Sequence, residues 1–315
     1  MTRITENAIE LLAIERLESL GYHYLQGQDI APDSSTPERD SFEQVLLLKR
    51  LEAAVKKINP GISKEAQEEA VKAIQRITSP ELINNNEAFH RYLTEGIPVS
   101  RRIDGHERGD RVWLIDFENP EYNEFLVVNQ FTVVSTSSSS DGQNKRPDIV
   151  LFVNGIPLVV MELKNAADES ATINSAFKQV DTYKSVISNL FTYNGFVVIS
   201  DGLEARAGTI SSGINRFMAW KTEDGSSYAS HLVSQLEVLI NGMLNKATLI
   251  DLIKHFIVFE SKKKVDPKTG ITYVSKLKIL AAYHQYYAVN RAVESTMRAS
   301  GYVAAGKFLM AKDLL

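Results

Sequence analysis

Two apolar runs split by Asn154-Gly155 constrain the fold of this chain more than any other stretch. They occupy residues 149–153 and 156–161 of the segment RPDIVLFVNGIPLVVMELKN at 146–165. Asn-Gly between β-branched runs is the strongest short-range signal for a β-hairpin. Both runs are apolar at nearly every position, so both faces of the two strands are expected to be buried in a central sheet. Yet Asp148 stands at the near end of the first run, and Glu162 and Lys164 at the far end of the second. Unpaired charge is costly to bury, so three charges at one end of a buried hairpin need a chemical reason.

Side chains alternate along a strand, which puts Glu162 and Lys164 on one face. A plain two-residue turn pairs Val153 with Ile156 and sets Asp148 opposite Met161, on the wrong face. A three-residue loop over 153–155, with Gly155 left-handed, sets Asp148 opposite Val160 on the face of Glu162 and Lys164. A bulge near Pro147 would do the same. A shared site for the three charges requires one of these irregularities.

Composition narrows the classes. The 315 residues, 44% hydrophobic and 23% charged, suit one large globular domain or two ordinary ones. The absence of cysteine excludes disulfides, zinc-thiolate sites and cysteine nucleophiles, and fits a reducing, cytoplasmic setting. The opening MTRITENAIE lacks a signal-peptide core, and no apolar run reaches the roughly 20 residues of a membrane helix. A net charge of −4 argues against tight free-standing binding to nucleic acid and leaves room for an enzyme delivered to DNA by partners. No two of the six histidines lie three or four apart, so a histidine-rich metal site is not expected.

Along the chain, residues 6–20 read as an amphipathic helix with Ile9, Leu12, Ala13, Leu17 and Leu20 as its stripe, Thr5 as N-cap and Gly21 as stop. A breaker-rich loop follows at 26–37. Helices are expected at 38–57, 64–77 and 86–95, forming a helical layer without evident chemistry. From Asp110 the period changes to strands at 111–117 and 124–134. The polar stretch STSSSSDGQNKR at 135–146 is either a bare surface loop or a segment overhanging the site, with Lys145 and Arg146 as DNA contacts. After the hairpin come a helix over 170–190, a buried strand at 194–200, its partner at 203–208, a further strand at 216–220 and helices at 231–240 and 246–256. This order specifies an α/β fold: a mixed central sheet flanked by helices with an N-terminal helical layer. The basic Pro/Gly-containing run from Ser261 reads as a linker, giving units at 1–260 and 261–315. Beyond it lie strand and helix with an aromatic cluster, Tyr283, Tyr286 and Tyr287.

Hydrolysis of a phosphodiester needs charge neutralisation, an oriented water and an in-line leaving group. Asp148 and Glu162 can offer carboxylate oxygens to Mg²⁺, with the Leu163 carbonyl as a third ligand. Lys164 can orient the attacking water or stabilise the transition state. An isolated acid-x-lysine triplet is more often a surface ion pair; its place on a buried hairpin is what raises the chemical reading.

Pro147-Asp148 followed by Glu162-x-Lys164 across a hairpin resembles the PD-(D/E)xK nuclease superfamily, and so implies a restriction-endonuclease-like sheet. Gln179 and Tyr183, in KQVDTYK, have the Q-x-x-x-Y spacing of its RecB-like branch, and residues four apart share a helix face. The hairpin, the KQVDTY helix and the opening ITENAIELLAIERLESLGY together resemble the N-terminal nuclease region of the R subunit of type I restriction enzymes. That resemblance implies Asp148 and Glu162 as metal ligands, Lys164 as the catalytic lysine, and Gln179 and Tyr183 as accessory residues, with Glu10 a candidate acid from the first helix. It further implies Mg²⁺-dependent cleavage of double-stranded DNA, coupled to ATP-driven translocation in a complex with specificity and methylation subunits.

Full R subunits are far longer, so the chain reads as an N-terminal piece whose motor is missing. GYVAAGK at 301–307 satisfies G-x-x-x-x-G-K, but Phe308 replaces the Mg²⁺-binding Ser or Thr, and no Val/Ile-rich strand precedes it. It reads as a chance match, and no ATPase is expected from this piece. Two other classes stay open: a catalytically silent DNA- or subunit-docking module, and a nuclease of repair or mobile-element origin.

Overall fold

In the computed structural model the Asn154-Gly155 turn is a two-residue one. Both residues are left-handed, with φ of 51° and 78°, as a type I′ hairpin requires. Asn154 tolerates this conformation and is fully tied: its Nδ2 donates to the Leu114 carbonyl and to Asn123 Oδ1, and its Oδ1 accepts from the Glu124 N–H. A side chain at Gly155 would meet the Leu47 carbonyl at 2.5 Å, so only glycine fits. The structure describes residues 6–103, 106–136, 142–165, 172–267 and 269–300, with backbone alone at 101–103 and 106–108. The expected N-cap Thr5 and the 301–307 motif lie outside the described residues.

The turn joins β7 (Ile149–Val153) to β8 (Ile156–Leu163), every residue of which is buried. With β1 (His23–Gln26), β4 (Phe125–Asn129), β9 (Phe196–Ser200) and β10 (Ala205–Gly208) they form a six-stranded mixed sheet, ordered β1-β4-β7-β8-β9-β10. The β1–β4 and β8–β9 pairs are parallel and the others antiparallel. The α/β expectation therefore holds, with helices packed on a mixed central sheet.

The anticipated irregularity is present at a different place. Val153 pairs with Ile156 and Phe152 with Pro157, but Leu151 pairs with Val159. Leu158 is thus an extra residue in β8, a bulge in mid-strand, and neither a three-residue loop nor a bulge near Pro147 occurs. Pro157 has no N–H to give a ladder, which suits a bulge. The Leu158 carbonyl is taken up by the Gly195 N–H at 2.7 Å and by Asn194 Nδ2 at 3.3 Å. Beyond the bulge Ile149 faces Met161, and the next pair in register is Asp148 with Glu162.

The helix α1 (Glu6–Ser19) packs on the sheet through Ile9, Ala13, Ile14 and Leu17. Leu12, expected in this stripe, is 43% exposed, and Glu10 is buried in its place. Three helices build the N-terminal layer: α2 (Leu48–Ile58), α3 (Lys64–Gln75) and α4 (Leu82–Glu95). The helix expected from residue 38 starts only at Leu48. Upstream, the Asp40 N–H bonds to Gln44 Oε1 and the Leu47 N–H to the Gly155 carbonyl, satisfying the backbone without a helix. The ribbon β2 (Ile97–Ile103) with β3 (His106–Val112) takes only the first two residues of the strand expected at 111–117. After it the Trp113 and Asp116 N–H groups bond to Asn59 and Asn123 side chains instead of a neighbouring strand.

The short β5 (Val133–Val134) and β6 (Asn144–Lys145) pair to form the base of the polar 135–146 segment. A Thr172/Ser175 capping box starts α5 (Ile173–Val186), and α6 (Ser188–Thr192) follows. The strand expected at 216–220 is a single bridge, Met218 to Ala207. After α7 (Gln235–Met243) and α8 (Lys246–His255), the run from Ser261 is no irregular linker. It belongs to an antiparallel ribbon, β11 (Ile257–Val265) with β12 (Thr272–Leu280), that precedes α9 (Tyr283–Ala299). The buried Lys278 ties its base to the core through Asn86 Oδ1 at 2.8 Å and the Asn194 carbonyl at 2.7 Å. The Tyr283, Tyr286 and Tyr287 rings gather around Trp220 and join α9 to the body.

Candidate functional site

The bulge at Leu158 brings the three hairpin charges together. Leu163 donates its N–H to Asp148 Oδ2 at 2.7 Å, and the register of the ladder, continued one step past Ile149–Met161, sets Glu162 across from Asp148. A strand residue directs its N–H and C=O to the same edge, so the Leu163 carbonyl also faces the β7 side, where Asp148 sits. Lys164 Nζ donates to Glu162 Oε1 at 2.7 Å and to Glu6 Oε1 at 2.9 Å, while its backbone N–H is held by the Ser200 carbonyl at 2.8 Å.

Electrostatics at this point favour a cation. Burial, then the Glu162 carboxylate, push the Asp148 carboxyl up from 3.8 to about 7. Burial also raises Glu162, with Lys164 opposing. Glu162 is 1% exposed, and its Oε2 is buried without a hydrogen-bond partner among the described residues. Burial disfavours the Lys164 cation, but Glu162 and Glu6 outweigh it and hold its ammonium above the usual lysine range.

The predicted accessory residues come to the same place. Glu6, Glu10, Lys145, Arg146, Asp148, Glu162, Lys164, Gln179 and Tyr183 line one cleft of about 750 Å³. Tyr183 is buried on α5, donates its hydroxyl to the Arg146 carbonyl at 3.3 Å, and is raised by burial and then by Glu162. Its hydroxyl lies close to the Glu162 carboxylate, which it helps to hold down, and to the Gln179 amide one turn earlier, which lowers the tyrosine. Glu10, 5% exposed, accepts from Asn129 Nδ2 and from Gln130 Nε2, each at 2.7 Å.

Several cleft residues escape sequence reasoning: Glu6, Asn7, Gln130, Thr132 and Asn144. Glu6 has a usable signal, since it lies four residues before Glu10 on the same helix face. Gln130 has none, because its place depends on a left-handed backbone.

Among the described residues no group of three or more His, Cys, Asp or Glu is placed to hold a metal ion. The donor set is two carboxylates and one backbone oxygen. It fits Mg²⁺, a hard ion that keeps several waters and binds through one or two carboxylates. The unpartnered Glu162 Oε2 is the atom such an ion would satisfy.

The family "Type I restriction enzyme R protein N terminus" matches residues 3–216. The type I restriction enzyme HindI endonuclease subunit of Haemophilus influenzae is 38% identical over 94% of this chain and 27% of its own length. A putative type I restriction enzyme MjaIXP endonuclease subunit of Methanocaldococcus jannaschii is 31% identical over 93% of the chain and 28% of its own length. The chain thus spans little more than a quarter of these relatives. No helix among the described residues is long and apolar enough to cross a membrane.

Proposed function

Because this chain belongs to the family of type I restriction enzyme R protein N termini, we propose that it carries the nuclease site of such a subunit and hydrolyses phosphodiesters of double-stranded DNA with Mg²⁺. The observation that carries this reading is the convergence of Asp148, Glu162 and Lys164 at one end of the sheet, with Glu162 Oε2 buried and unpartnered.

Asp148, Glu162 and the Leu163 carbonyl would hold the ion. Mg²⁺, when bound, neutralises phosphate charge and makes water more acidic. Lys164, kept protonated by Glu162 and Glu6, is placed to donate to a phosphate oxygen or to orient the attacking water. Tyr183 and Gln179 offer a hydroxyl and an amide to the phosphate or to the lysine. Lys145 and Arg146, on the cleft rim, contribute phosphate contacts.

In this reading the nuclease body carries the β11–β12 ribbon and α9 with it, since a boundary at 260 would cut β11, and an ATP-driven motor belongs to the rest of the subunit. The partners are the methylation and specificity subunits, and the setting is the cytoplasm. A silent docking module with a plain Asp148–Lys164 ion pair is disfavoured, since Lys164 pairs with Glu162 and Glu6 instead. Alanine at Asp148, Glu162 or Lys164 is expected to abolish DNA cleavage by the assembled enzyme while ATP-driven translocation continues. A Lys164→Ala enzyme cutting at the parental rate would remove the lysine from the mechanism.

A further inference from the structure

Among the described residues, Asn154 and Gln130 alone are non-glycines with positive φ. Asparagine is a residue type that tolerates this region, and Asn154 sits in a hairpin turn that demands it. Gln130 has neither excuse. It follows β4 with φ of 50° and lines the cleft that holds Asp148, Glu162 and Lys164. Strained backbone persists where the surroundings over-determine it, and such positions cluster at functional sites.

The surroundings here are two hydrogen bonds of opposite origin. The Gln130 backbone N–H donates to the Asp148 carbonyl at 2.8 Å, and its side-chain Nε2 donates to Glu10 Oε2 at 2.7 Å. Asn129 takes the other Glu10 oxygen, and its own Oδ1 accepts from the Tyr24 hydroxyl at 3.1 Å. The left-handed step lets Asn129 and Gln130, neighbours in sequence, both direct their amides to one carboxylate. In an extended strand they would point to opposite faces.

We propose that Gln130 is a positioning residue of the nuclease site, fixing Glu10 of α1 relative to Asp148 at the start of β7 through its amide on one side and its N–H on the other. This rests on the reading of the cleft as a nuclease site. Glu10 thereby presents a pre-oriented carboxylate to the cleft beside the Asp148–Glu162 pair, and α1 is held in register with this end of the sheet.

The test compares Gln130→Gly and Gln130→Asn with the parent in the intact restriction complex. Glycine keeps the N–H and relieves the strain while deleting the amide; asparagine tolerates the backbone but is one methylene too short. Three quantities are read: thermal unfolding midpoint, Mn²⁺ affinity by calorimetry, and DNA cleavage rate. Both variants are expected to stay folded, relief of strain at 130 being set against the lost bond to the buried Glu10 carboxylate, yet lose about 10-fold or more in Mn²⁺ affinity and cleavage, the usual effect of removing an outer support of a metal site. Loss of Mn²⁺ affinity should persist in a Lys164→Ala background, where cleavage is already gone. Parental affinity and cleavage in both variants, with Lys164→Ala inactive, would overturn the role of Gln130 and leave the nuclease reading standing. Full cleavage by Lys164→Ala together with no Mn²⁺ binding would overturn both.

Discussion

Lys164 Nζ donates to one oxygen of Glu162 at 2.7 Å and leaves the other, Oε2, buried without a partner among the described residues. An ion pair built for stability would satisfy both oxygens, because a buried unsatisfied carboxylate oxygen is costly. On the proposed reading a divalent cation would satisfy that oxygen, and the half-satisfied pair beside Asp148 would leave the metal-free protein less stable than it could be.

Asp148→Asn should therefore stabilise the metal-free protein while abolishing cleavage. Asparagine keeps an oxygen for the Leu163 N–H and removes the charge facing Glu162. The Asp148 pKa is raised from 3.8 to about 7, so its cost grows as pH rises through that window and is full above it. Urea unfolding in EDTA at pH 8 should show the variant more stable by on the order of 3 kcal/mol, a gap that closes towards pH 4. An equal or lower stability at pH 8 would mean that Asp148 carries no strain.

His90 supplies the opposite slope. Burial, then Lys278 and Lys254, lower its pKa from 6.5 to about 3. The unfolded chain binds the proton first, so stability is full above pH 6.5 and falls as pH drops towards 3. Relative to His90→Phe, the parent should lose up to about 1.4 kcal/mol per pH unit below 6.5. Parallel stability curves for the two proteins between pH 7 and 4 would contradict this placement of His90.

The accessory pair should behave differently from the ligands. Gln179→Ala and Tyr183→Phe should slow cleavage about 10-fold, against at least about 1,000-fold for Glu162→Ala, with metal binding retained. Calorimetry in which either accessory change eliminates Mg²⁺ binding would place that residue among the ligands.

Much of this site is legible in the amino-acid sequence, because it depends on residue types that have no place in a buried hairpin. Asp148, Glu162 and Lys164 interrupt apolar runs, and Gln179 and Tyr183 keep helical spacing with the buried Ala176 and Val180. Leu158 is another matter. A bulge hides in a run where every residue is apolar and buried, since no polar side chain betrays which face it takes. The β11–β12 ribbon is hidden for the converse reason. Its outer residues, among them Lys263 and Val274, are exposed, so the ladder rests on backbone pairing rather than on an alternating burial pattern. Val45, Leu46, Leu51 and Val55 are spaced so that a helix could be read through them, but Val45, Leu46 and Leu47 are all buried in succession, and hydrogen bonds of the Gln44 side chain hold that segment in irregular form. Gln130 is invisible because its role follows from a torsion angle.

The central claim is that Asp148 and Glu162 share a divalent cation. Crystals soaked in Mn²⁺ and measured at its absorption edge test it most directly. An anomalous peak is expected between the two carboxylates, within bonding distance of Glu162 Oε2 and the Leu163 carbonyl, with no peak there in Glu162→Ala. Mn²⁺ density elsewhere, with none between Asp148 and Glu162 at saturating metal and pH 8, would contradict it.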